Sequence, residues 1–158
     1  MKKISLFLLL GILAISSCKK YVKEKDLDKQ VIVNFPFGMY WSSKSPTFEN
    51  APSGFNLVDF DKRDYPKVDS ITFNVELATE VLTDSVYARL FNVTDSVEIP
   101  NTLLSASTNG TGSSLVAVHT NNIYKSLPDK KITLAVQLKG KTGRYVYVYS
   151  PYLKLRRN

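Results

Sequence analysis

Three tyrosines near the C-terminus, Tyr145, Tyr147 and Tyr149, alternate with Val146 and Val148. In an extended chain this spacing sets the three rings on one face and both valines on the other. Aromatic faces stack on sugar rings, and phenol hydroxyls can meet sugar hydroxyls, so the row is a candidate ligand surface. Tyr152, beyond Pro151, is placed to join it. The same residue types also pack well in sheets that bind nothing. Trp41 is a second candidate, with Tyr40, Phe35, Phe37 and Phe48 close by in sequence. A lone Trp in a loop-rich stretch serves as a sugar platform, as a partner hot spot, or as a lid over a core.

Asp59, Asp61 and Asp64 are closely spaced carboxylates that could coordinate Ca²⁺ with backbone carbonyls. Lys62 and Arg63 sit between them and argue for solvated turn charges instead. Glu76 and Glu98 are the carboxylates that would have to meet for acid/base glycoside hydrolysis, and nothing in the local pattern brings them together. His119 has no second His or neighbouring acid. No GxSxG, HExxH or P-loop pattern is present. The single Cys, Cys18, and the single His exclude a disulfide framework, a CxxC redox pair and a multi-His zinc site. The reading is of a non-enzyme without a cofactor.

The chain has 158 residues, of which 44% are hydrophobic and 22% charged, the composition of one globular domain. Met1-Lys2-Lys3 is a basic start, and Ile4 to Ile15 is an apolar run broken only by Ser5 and Gly11. That run suits a secretory signal and falls short of the about 20 residues a membrane-spanning helix needs. Ile15-Ser16-Ser17-Cys18 resembles a bacterial lipobox. The resemblance implies cleavage before Cys18 and acylation of its thiol and new amino group, such as with palmitate. Two or more acyl chains hold a protein stably on a bilayer. Residues 1–17 are therefore expected to be a signal peptide and 18–30 a lipidated Cys with a flexible stalk, KKYVKEKDLDKQ. Residues 31–158 remain for the folded domain.

The Ser-Cys-Lys-Lys start is similar to lipoproteins of the Bacteroidota. In that group an acidic stretch directly after the Cys directs export to the cell surface. Lys19 and Lys20 occupy those positions here, so the periplasmic and the surface side both remain open. The expected site is the outer membrane. Asp69-Ser70-Ile71, Asp84-Ser85-Val86 and Asp95-Ser96-Val97 each resemble the O-glycosylation motif of the same group, which makes Ser70, Ser85 and Ser96 candidate acceptors. Asp-Ser pairs also begin strands after turns for purely local reasons. Removal of Lys2 and Lys3 lowers the 21 basic residues to 19 against 14 acidic. Such a modest excess, on an exported chain, argues against nucleic acid as a partner.

Period-two patterning runs through the body, and no long stretch has a helical period. Strands are expected over Gln30 to Phe35, Phe37 to Trp41, Phe55 to Phe60, Val68 to Thr79 and Ser85 to Val93. Others are expected over Leu115 to Thr120, Lys131 to Lys139 and Arg144 to Leu155. In the clearest, Ile71, Phe73, Val75 and Leu77 face inward. Val97 to Leu104 holds Pro100 and reads as an edge strand or loop, and Ser105 to Ser114 as a loop. Gly140-Lys141-Thr142-Gly143 reads as a hairpin turn, and Pro151 marks a bulge or an edge position. Eight or so short strands predict an all-β, antiparallel sandwich.

The succession YPKVDSITFNVEL, VYARLFNVTD, LPDKKITLAVQLKG and YVYVYSPYLKL resembles bacterial jelly-roll modules of the carbohydrate-binding type, over roughly residues 65–155. The resemblance implies a jelly roll and a glycan-binding or adhesive role. Two functions fit. One is an accessory subunit that meets a protein partner in an envelope complex through a sandwich edge or the Trp41 region. The other is a glycan-binding module that uses the tyrosine face.

Overall fold

The computed structural model describes residues 28–81, 84–107 and 114–157. The expected signal peptide, Cys18 and most of the stalk lie outside the described residues. The rest is an antiparallel two-sheet sandwich of jelly-roll type. The front sheet consists of β1 (Gln30–Asn34), β2 (Tyr40–Ser43), β5 (Val68–Thr79), β9 (Val116–His119) and β11 (Val146–Arg157). The back sheet consists of β3 (Glu49–Asn50), β4 (Leu57–Phe60), β6 (Val86–Asn92), β7 (Val97–Glu98), β8 (Leu104–Ala106) and β10 (Ile132–Gly140).

Across the front sheet the order is β1-β11-β5-β9, with β2 on the same side of β11 as β1. Across the back sheet it is β3-β10-β6-β7, with β4 also on β10 and β8 on β6. Short strands share the edges, which leaves no long flat edge for another chain to extend. Alternating apolar residues supply the core from both layers. Ile71, Phe73 and Leu77 of β5 and Val146, Val148, Leu153 and Leu155 of β11 meet Val86 and Leu90 of β6 and Leu134, Val136 and Leu138 of β10. All are fully buried. Each such side chain contributes about 1.5–3 kcal/mol by leaving water. Phe35 closes one side, edge-on to Phe73 at 6.3 Å between ring centroids.

The Gly140–Gly143 segment is not a hairpin turn. β10 already has β6 on one side and β3 and β4 on the other, while β11 has β5 on one side and β1 and β2 on the other. Neither strand has a free ladder edge for the other, so the segment crosses between layers. Buried Asp84 holds the crossing, its carboxylate accepting from the Lys141 backbone N–H at 3.2 Å and from the Thr142 hydroxyl at 2.7 Å. Gly143 takes φ +76°, which suits glycine.

Pro151 sits in a bulge, and β11 is a central strand, so the edge alternative does not hold. Tyr149 pairs with Glu76 and Tyr152 with Asn74, so Ser150 and Pro151 together face Val75. Ser150 has φ 44°. Strict alternation from Val148 would turn Leu153 and Leu155 out to solvent and Tyr152 into the core. The extra residue restores the phase. It coincides with the gap between β1 and β2, where the Phe35 N–H donates to the Pro151 carbonyl at 3.1 Å. A missing proline donor is tolerated there.

Candidate functional site

On β11 the two-residue period places Tyr145, Tyr147 and Tyr149 outward, and the bulge keeps Tyr152 with them. β2 runs antiparallel beside this half of β11 and pairs Tyr40 with Tyr149. Tyr40 therefore stands on the same outer face. Its ring lies 5.3 Å from that of Tyr149 and 5.7 Å from that of Tyr147, the latter edge-on at 70°. Along β11 the Tyr145–Tyr147 and Tyr147–Tyr149 rings are 6.2 and 6.4 Å apart. These are the offset geometries that aromatic quadrupoles favour. Tyr147 is flanked by small partners, Ser42 on β2 and Ala78 on β5, which leave its ring open to the surface.

Tyr40, Tyr147 and Tyr149 border a shallow groove of about 450 Å³, closed on its far side by Leu115 and Glu80. A smaller groove of about 220 Å³ adjoins it, with Asn74, Glu76, His119 and Tyr152 in its wall. The register explains the assembly, because Glu76 lies opposite Tyr149 and Asn74 lies between Tyr152 and His119 across three strands. Glu80 accepts from the Tyr145 backbone N–H at 3.1 Å. Lys44 holds its ammonium 4.1 Å from the centroid of the Tyr145 ring. Burial among its neighbours pushes the Tyr147 phenol above its ordinary range, with the Glu80 charge adding to the shift.

Trp41 stands elsewhere. One residue along β2 from Tyr40, it turns to the opposite side, lies beside Val148 and packs on the core. It is partly buried against the core, and the tyrosine face forms without it. Asp59, Asp61 and Asp64 do not gather around a common point. Asp61 is buried and caps the short 3-10 turn Lys62–Asp64. The Arg63 guanidinium grips its carboxylate at 2.6–3.1 Å and holds its pKa down to about 2. Among the described residues no group of three His, Cys, Asp or Glu is arranged to hold a metal ion.

Glu76 and Glu98 sit in different layers. Glu98 lies on the back sheet, ion-paired to Arg89. Sheets pack about 10 Å apart. With both carboxylates on outer faces, their separation exceeds the about 5–9.5 Å over which glycosidase pairs act. Of the three Asp-Ser motifs, Ser70 and Ser85 are half-buried and Ser96 is exposed. Ser96 lies in the turn between β6 and β7 with φ 56°.

Local patterning missed Tyr40, Asn74, Glu76, Glu80 and His119 as members of one face. A partial signal existed for two of them, since the alternation of β5 sets Asn74 and Glu76 outward. The pairing of β5 with β11 and β9, which brings them to the tyrosines, leaves no local trace.

No protein-family model matches the sequence, and no curated protein matches it. Among solved structures the chain is similar to the VP2 protein of infectious bursal disease virus in its subviral particle. The TM-score is 0.50 at 10% identity, over 82% of this chain and 32% of that one. The chain thus spans about a third of that VP2 chain, and the likeness is one of fold. A xylan-binding module, CBM15, superposes at TM-score 0.47 and 8% identity over 82% of this chain and 99% of the module. A carbohydrate-binding module of Cellvibrio mixtus lichenase 5A, in complex with cellotriose, does so at 0.36 and 8% over 81% and 97%.

Proposed function

We propose that this protein is a non-catalytic glycan-binding module, tethered to the outer membrane through acyl chains on Cys18, and that the front-sheet tyrosine face is its binding surface. One observation carries the reading. Five tyrosines, Tyr145 just ahead of β11, Tyr147, Tyr149 and Tyr152 on it and Tyr40 on β2, share an open face, with carboxylate, amide and imidazole side chains along one border. A sugar ring has an apolar face of C–H groups and an edge of hydroxyls. Tyrosine rings match the first, and Glu76, Asn74 and His119 can hydrogen-bond the second. Few, placed polar groups beside an apolar floor are the usual make-up of a small-ligand site.

Residues 19–158 contain every described core residue and suffice for the test. Calorimetric titration against a panel of soluble polysaccharides and their oligomers is expected to show binding to at least one class. Tyr147→Ala is expected to weaken that binding by about tenfold or more, the effect of truncating a central aromatic anchor. Unchanged affinity in a Tyr147→Ala protein with a wild-type melting curve would overturn the proposal.

A further inference from the structure

The charge and ring arrangement of the same face carry a narrower conclusion, which rests on the glycan-binding reading above. We infer that the tyrosine groove selects glycans bearing protonated amines, amino sugars rather than neutral or acidic ones. The first observation is internal to the protein. Tyr145, the end member of the row, already carries an ammonium on its ring, that of Lys44 at 4.1 Å. The tyrosine faces of this row are thus cation-accepting in the folded chain. Tyr147, Tyr149 and Tyr40 present the next faces to the groove, tilted against each other by 37–70°. Several ring faces turned toward one space is how proteins hold ammonium groups.

The second observation is the placement of charge. The chain as a whole is basic, with 21 Lys and Arg against 14 Asp and Glu. The two grooves reverse that sign. Their charged lining residues are Glu80 and Glu76, with no Lys or Arg. Neither Glu forms an ion pair among the described residues. Glu80 spends one oxygen on the Tyr145 N–H. Lys154 and Arg156 lie on the same face of β11, but seven or more residues beyond Tyr147. At about 3.3 Å per residue that is more than two Debye lengths from Tyr147 at physiological salt, so their field is screened from the larger groove, while Lys154 stands two residues from Tyr152 at the far end of the smaller one. A uronate in the larger groove would meet the Glu80 carboxylate, with the Lys44 ammonium held on the Tyr145 ring beside it. A protonated amine would meet ring faces and opposite charge together.

The probes are short β-1,4-linked glucosamine oligomers and their N-acetylated counterparts of equal length, titrated into residues 19–158 in a calorimeter. The glucosamine oligomer is expected to bind about tenfold more tightly at low salt, the combined effect of one ring-held ammonium and one exposed ion pair. That advantage should shrink toward unity by about 1 M salt. Glu80→Gln keeps an acceptor for the Tyr145 N–H, and it is expected to remove most of the preference for the glucosamine oligomer. Equal or tighter binding of the N-acetylated oligomer, still abolished by Tyr147→Ala, overturns the selection for amines and leaves glycan binding intact. Binding of neither oligomer nor of any other glycan overturns both.

Discussion

Lys62 offers the most quantitative test of how the fold is held. Its side chain is 6% exposed. Its ammonium donates to the Leu127 carbonyl at 2.6 Å and the Tyr124 carbonyl at 3.0 Å. It also lies 2.9 Å from Asp129 and 4.5 Å from the Tyr124 ring centroid. The clamp ties the 62–64 turn to the 124–129 turn at one end of the sandwich. Lys62→Met keeps most of the volume and removes the donors. The Leu127 carbonyl is then buried without a partner, at about 1–3 kcal/mol, and the part-buried Tyr124 carbonyl adds a smaller loss. The Asp129 pair adds under about 1 kcal/mol, because that carboxylate is 76% exposed. The sum is about 2–4 kcal/mol. For a domain of this size it lowers the melting temperature by about 10 °C. Urea unfolding of residues 19–158, read by tyrosine and tryptophan fluorescence, measures it directly. Asp129→Asn serves as control, with an expected loss below about 1 kcal/mol. A Lys62→Met unfolding free energy within about 1 kcal/mol of wild type, or an Asp129→Asn loss as large as that of Lys62→Met, would refute the carbonyl-clamp reasoning.

Three further outcomes follow from the same structure. The Asp61 carboxyl titrates at about 2 when folded, below its ordinary 3.8. Its stabilising share is therefore complete above about pH 4 and lost as pH falls toward 2, and Asp61→Asn should flatten acid unfolding in that window. If the native protein is O-glycosylated, intact mass and peptide mapping should place the sugar on exposed Ser96 rather than on Ser70 or Ser85, and Ser96→Ala should return the mass to that of polypeptide plus lipid. Cys18→Ala should block incorporation of labelled palmitate and shift the protein out of the detergent-extracted membrane fraction; unchanged labelling would remove the tether from the account.

The fold was legible where burial imposes a strict period. β5 spans Val68–Thr79 with Ile71, Phe73, Val75 and Leu77 inward, as alternation predicts, because one side of that strand is core and the other is solvent. β6 follows for the same reason, and in β10 the alternation of Ile132, Leu134, Val136 and Leu138 is readable although Ala135 and Gln137 on its other side are buried as well. Legibility fails where partners come from far along the chain. The Gly-rich segment after β10 looks like a hairpin turn locally, but both flanking strands already have neighbours on each side. The strand expected over Phe37 to Trp41 instead begins at Tyr40, and one step of phase decides that Tyr40 faces outward while Trp41 packs inward. The tyrosine row itself was readable from its period. Its polar border was not, because Glu76, Asn74 and His119 reach it only through the β11-β5-β9 register.

The most direct measurement is a backbone and side-chain NMR titration of residues 19–158 with the tightest-binding oligosaccharide. The account predicts that shift changes concentrate at Tyr40, Glu76, Tyr147, Tyr149 and His119 on the front sheet, while Phe48, Tyr87, Arg89 and Lys139 on the back sheet stay still. Changes centred on the back sheet, or on Trp41 and the core beneath it, would contradict it.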